Sequence, residues 1–106
     1  MLRGEVWTMR DKGYASKARP VIVIQSNSID SFDSVILCLL TSFESEDAST
    51  RVELEPSQRN GLERRSYALA DKIVTVDKNL LGEKIGMLSF DDMTRVDHAL
   101  QIALGL

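Results

Sequence analysis

The sequence predicts a mainly β domain: a small, strongly curved antiparallel barrel with one C-terminal α-helix packed on its side. Three observations carry that expectation. Short apolar segments rich in Val, Ile and Leu recur between clusters of Ser, Asn, Asp and Gly, as short strands separated by turns do. The apolar pattern changes to a three-and-four period only after Ser89, near the end of the chain. With 106 residues, 43% of them hydrophobic and 27% charged, the chain suits a single domain spanning 1–106 around one core.

Arg3 to Met9 alternates weakly, and Val, Trp and Thr favour a first strand there. Arg10 to Ala18 is polar, contains Gly13 and reads as a loop. Pro20 to Gln25 is the second strand: four apolar residues follow the proline, a pattern suited to burial on both faces. Pro20 fits a strand's first residue, where a missing N–H removes no ladder bond, and it biases Arg19 towards extended backbone. Ser26 to Asp33 is turn-rich, and Ser34 to Thr41 is the third strand. Ser42 to Thr50 is acidic and reads as a loop, Arg51 to Leu54 as a short fourth strand. Pro56 to Arg65 is polar, with Asn60-Gly61 as a turn signal. Ser66 to Val76 reads as one long or bent strand. Asp77 to Gly82 predicts one helical turn, capped by Asp77 and stopped by Gly82. Glu83 to Leu88 is a last short strand, weakened by Gly86. Ser89 then caps a helix of about four turns, with Asp92 in the capping-box position. Met93, Val96, Leu100 and Ala103 form its apolar stripe, and Gly105 stops it.

The net charge of −3 argues against a protein that coats nucleic acid through charge alone. The distribution is uneven: residues 1–20 carry five cations against two anions, and residues 42–55 five anions against one cation. A locally basic face on an acidic protein is therefore available. No segment has the length of a membrane span or the pattern of a signal peptide, so the cytoplasm is the expected compartment. The single cysteine, Cys38, excludes an internal disulfide and sits in an apolar strand, where it reads as a small core residue. His98 is the one histidine; it lies off the helix stripe and reads as exposed. Metal chemistry, a Ser–His–Asp triad and two-histidine RNA cleavage have no residues to support them, and no glycine-rich phosphate loop is present.

Polar groups at strand ends remain. Arg19 opens the second strand, Thr41 and Ser42 end the third, and Asp71 and Lys72 interrupt the long strand. A guanidinium donates two parallel hydrogen bonds to phosphate, and a hydroxyl or carboxylate can position or deprotonate a nucleophile. Each has a bland reading as well: a surface arginine, a strand-end threonine, a solvated carboxylate.

Arg3-Gly4-Glu5-Val6-Trp7, Arg19-Pro20 with the strand to Asn27, Leu40-Thr41-Ser42, Ser66, Ala70 to Lys78, Leu81 to Gly86 and Ala99 to Leu106 stand in an order and spacing that resembles the MazF/PemK/Kid toxin endoribonucleases over essentially the whole chain. The resemblance implies an SH3-like barrel of the kind also seen in CcdB-type proteins, a homodimer, and metal- and cofactor-independent cleavage of single-stranded RNA. In that chemistry the 2′-hydroxyl attacks the adjacent phosphate, leaving a 2′,3′-cyclic phosphate and a 5′-hydroxyl. The family's catalytic arginine falls on Arg19, its threonine on Thr41, and an aspartate used by some members on Asp71. In the implied dimer, Lys12 and Lys17 of the basic first loop flank an RNA groove with Ser42, Arg64, Arg65 and Lys72 near its rim. An acidic antitoxin tail would cover that groove. Gly13-Tyr14-Ala15-Ser16-Lys17 departs from the family by lacking a glutamate or histidine, while Lys72 and Val74 replace the usual glutamine and arginine. These departures bear on proton transfer and on the cleavage sequence. They leave Asp71 as the expected general base. Trp7 reads as a core residue, with a base-stacking platform as the other reading.

Two further functions compete: a catalytically inactive or gyrase-targeting module of the CcdB type on the same barrel, and an SH3-like peptide adaptor. The Arg-Pro and Thr-Ser pairs speak against the first, and 6% aromatic residues against the aromatic groove of the second.

Overall fold

A computed structural model describes residues 1–10, 18–44 and 49–106. Its strands are β1 (Glu5–Arg10), β2 (Ala18–Val23), β3 (Ser34–Thr41), β4 (Arg51–Leu54), β5 (Ser66–Asp77) and β6 (Leu81–Met87), followed by helix α1 (Phe90–Leu104). The strands form one antiparallel sheet in the order β4-β5-β3-β2-β1-β6. Every predicted element is present. The second strand begins two residues early, at Ala18, because residues 18–20 pair with β1: Arg10 faces Ala18, Met9 faces Arg19 and Thr8 faces Pro20. Pro20 is thus inside the strand, on a stretch with no β3 partner, which is where a missing N–H is tolerated.

The turn after β5 is a 3₁₀ turn over Lys78–Leu80, and Asp77 caps it by accepting from the Asn79 N–H at 2.9 Å. Leu81 and Gly82 belong to β6 rather than ending the turn. Gly86 is compatible with the strand because something lies against it. A Cβ there would stand 2.3 Å from the Asn60 carbonyl carbon, so the 55–62 loop packs on β6 at contact distance. Gly61 meets β6 from the other side: its φ is +69°, and a Cβ would stand 2.0 Å from the Ile85 carbonyl oxygen.

Ser89 caps α1 as expected, accepting from the Asp92 N–H at 3.1 Å. The reciprocal half of a capping box is replaced by an ion pair, since the Asp92 carboxylate meets the Arg95 guanidinium at 3.0 Å. Val96, Ala99 and Leu100 are buried, and Gly105 ends the helix in a left-handed conformation with φ of 71°.

Two apolar clusters lie on opposite faces of the sheet. One gathers Val6, Ile22, Cys38, Leu40, Leu54, Ala68 and the helix residues Val96 and Leu100. It draws on β1 through β5, so the sheet curls around it and α1 closes it, as in a small barrel. The other holds Val21, Val23, Val35 and Leu37, with Trp7, Met9, Leu39, Val74 and Leu81 half-buried against them. Cys38 is fully buried and its thiol donates to the Leu69 carbonyl at 3.3 Å; burial pushes that thiol up to about 12. Trp7 belongs to the second cluster, and its indole N–H donates to Glu5 at 2.9 Å. Burial alone would raise the Glu5 carboxyl. The Trp7 N–H, a backbone bond at Leu2 and the Lys84 ammonium at 3.2 Å outweigh it and hold the group below its ordinary value of 4.5.

Candidate active site

The β2–β3 ladder runs Val23 to Leu37, Ile22 to Cys38 and Val21 to Leu39, and then stops. Continued by two residues, the same register would set Arg19 opposite Thr41. Instead β2 stays on β1, while β3 follows β5, with Thr41 opposite Tyr67. The strands part, and a cavity of about 490 Å³ opens between their ends. Its lining includes Thr8, Arg19, Pro20, Thr41, Ser42, Phe43, Leu62, Glu63, Arg64 and Ser66. Arg19 and Thr41 share the pleat parity of Val21 and Leu39, so both side chains leave the sheet on one side.

The Thr41 hydroxyl oxygen accepts the Phe43 backbone N–H at 3.2 Å. That bond leaves the hydroxyl's own proton available for donation. The opposite wall is the 55–64 loop, built on buried Asn60. Its side-chain oxygen accepts the N–H groups of Ser57 and Leu62, each at 3.0 Å, and its amide donates to the Glu55 carbonyl at 2.8 Å. Met87 donates to the Arg59 carbonyl at 2.9 Å, which ties this wall to β6. Ser66 donates to the Arg64 carbonyl at 3.0 Å and closes the wall where β5 begins.

The cavity brings together four of the expected residues: Arg19, Thr41, Ser42 and Arg64. Asp71 is not among them. The β3–β5 register jumps from Leu39–Leu69 to Cys38–Ile73, a bulge that carries Asp71 away from the ladder. It lies four residues along β5 from Tyr67, roughly 13 Å of strand. There its carboxylate meets the Arg51 guanidinium at 3.2 Å and accepts from the Thr50 hydroxyl at 3.4 Å. In this chain Asp71 pairs with Arg51 and does not line the cavity of Arg19 and Thr41. Lys72 shares the bulge and is likewise absent from the cavity lining. Arg65 is held by Glu55 and Glu53, each at 3.0 Å, and those two carboxylates raise its pKa, Glu55 most. Its charge is already spent locally. Lys12 and Lys17 lie outside the described residues.

Glu63 is a lining residue that sequence reasoning missed. The Asn60-Gly61 signal marked a turn but could not say that the residues after it face Arg19. Among the described residues, no three His, Cys, Asp or Glu side chains cluster as a metal site would need, and no helix is long and apolar enough to cross a membrane.

The chain is 35% identical to a probable endoribonuclease MazF of Mycolicibacterium smegmatis, over 100% of this chain and 98% of that one. It is 37% identical to the endoribonuclease EndoA of Bacillus subtilis, over 83% of this chain and 77% of that one. Among solved structures, a mycobacterial endoribonuclease in complex with its cognate antitoxin superposes with a TM-score of 0.84 at 32% identity, covering 100% of this chain and 96% of that one. The family model for the PemK-like, MazF-like toxins of type II toxin–antitoxin systems matches residues 2–104, and the chain belongs to that family.

Proposed function

We propose that this chain is the endoribonuclease toxin of a type II toxin–antitoxin pair and cuts single-stranded RNA in the cavity between β2 and β3. One observation carries the reading: the β2–β3 ladder stops at Val21–Leu39, and Arg19 and Thr41 line one cavity beyond it. Arg19 binds the non-bridging oxygens and takes up charge as the phosphorus becomes five-coordinate. Thr41 donates to the same phosphate. Arg64 attracts the neighbouring backbone.

The 2′-hydroxyl loses its proton as its oxygen bonds to phosphorus. The bond from phosphorus to the 5′-oxygen breaks, and that oxygen takes a proton from water and leaves as a hydroxyl. Glu63, the carboxylate on the cavity lining, is the proton acceptor we assign in place of Asp71. The chain acts in the cytoplasm as a two-fold homodimer, and a largely disordered acidic antitoxin segment shuts it off by folding over Arg19 and Thr41.

Incubation of the purified protein with a weakly structured RNA in EDTA tests this. Defined fragments with 2′,3′-cyclic phosphate and 5′-hydroxyl ends are expected. Intact RNA would leave the fold as a binding module, and 3′-hydroxyl ends would refute attack by the 2′-oxygen.

A further inference from the structure

Phe43 is 80% exposed, although aromatic residues make up only 6% of the chain. Nothing in the fold requires a ring there, since it joins neither apolar cluster. Phe32 and Phe90 are also exposed, but only Phe43 lines the cavity of Arg19 and Thr41. Its backbone N–H is bonded to the Thr41 hydroxyl oxygen at 3.2 Å. The backbone that carries the ring is thereby held beside the group that meets the phosphate, two residues away in the chain. Trp7, the other aromatic considered for stacking, is packed in the second cluster and absent from the lining.

An RNA strand drawn into this cavity must unstack the bases on either side of the scissile phosphate. Proteins that bind single strands replace the lost stacking with an aromatic face. We propose that Phe43 is that face: its ring stacks on the nucleobase flanking the scissile phosphate and sets which phosphate enters the site. The proposal rests on the active-site reading above and adds a positioning residue that does no bond chemistry.

The test uses a cleavage site first mapped with the wild-type protein. A short oligonucleotide spanning it, with deoxyribose at the scissile position so that no nucleophile is present, carries 2-aminopurine at successive positions in separate syntheses. In wild type, fluorescence is quenched at one position beside the scissile phosphate. Phe43→Ala loses that quench, while Phe43→Tyr keeps it. On the all-ribose substrate, KM rises roughly ten-fold in Phe43→Ala and kcat changes far less, the loss expected for one stacked base. A Phe43→Ala protein with wild-type quenching and wild-type KM overturns the proposal. A wild-type protein that cuts no RNA overturns the active-site reading beneath it, so the two failures are distinguishable. The exposed ring makes no core contact, so both variants should melt as wild type does, which circular dichroism checks.

Discussion

A hydroxyl that accepts from a backbone amide has one proton to give, and in the proposed reaction Thr41 gives it to the phosphate as a hydrogen bond. Thr41→Val keeps the shape and removes it, and the Phe43 N–H also loses its acceptor. Cleavage should fall by at least about a hundred-fold, the scale of one lost transition-state donor. Thr41→Ser should recover part of it. Equal rates for wild type and Thr41→Val, read from initial velocities on one RNA, would leave Thr41 as a strand-end residue only. Of two carboxylates, Glu63 lines the cavity and Asp71 pairs with Arg51. Glu63→Gln should lower the rate by about 10²–10⁴-fold, the effect of losing a general base. Asp71→Asn should leave the rate close to wild type, because its carboxylate pairs with Arg51 off the cavity. The reverse result would return Asp71 to the mechanism.

Among the elements, the 55–64 loop and β6 hold the cavity wall in place. Gly86→Ala would drive a methyl into the Asn60 backbone, an overpacking that typically costs about 1–3 kcal/mol. Thermal melting should show a loss of that order, with weakened cleavage as Glu63 and Arg64 shift. A melting temperature equal to wild type would mean that the loop does not depend on this contact. The same contact shows what was legible in the sequence. Strand positions could be read because Val, Ile and Leu runs alternate with turn residues, and the helix because Ser89, the three-and-four stripe and Gly105 agree. Gly86 looked like a weakness in a strand because the backbone it accommodates is distant in sequence. Arg19 and Thr41 were visible as strand ends, yet their confrontation depends on where the β2–β3 ladder stops. Asp71 stands off the cavity where a β-bulge interrupts the ladder, and no local pattern in Ala70-Asp71-Lys72 announces that bulge.

At the scale of the whole molecule, an acidic chain has to bind a polyanion. The charge that matters is local: Arg19 and Arg64 line the cavity. Two phosphate contacts per site give a salt slope of about −1.4 for a single strand, or roughly a seven-fold loss of affinity for a four-fold rise in salt. Affinity for a 2′-deoxy oligonucleotide that does not respond to salt would contradict phosphate binding by these arginines. The central claim is that the split between β2 and β3 is where RNA is cut. Arg19 tests it most directly, because it stands at the exposed mouth of the split and contributes to neither core. The measurement is the single-turnover cleavage rate of Arg19→Ala beside its melting temperature, with Arg19→Lys alongside. The account predicts an unchanged melting temperature, no measurable cleavage for Arg19→Ala, and poor rescue by Arg19→Lys, which keeps the charge but loses the planar fork. An Arg19→Ala protein that cuts RNA within a few-fold of wild type would contradict it.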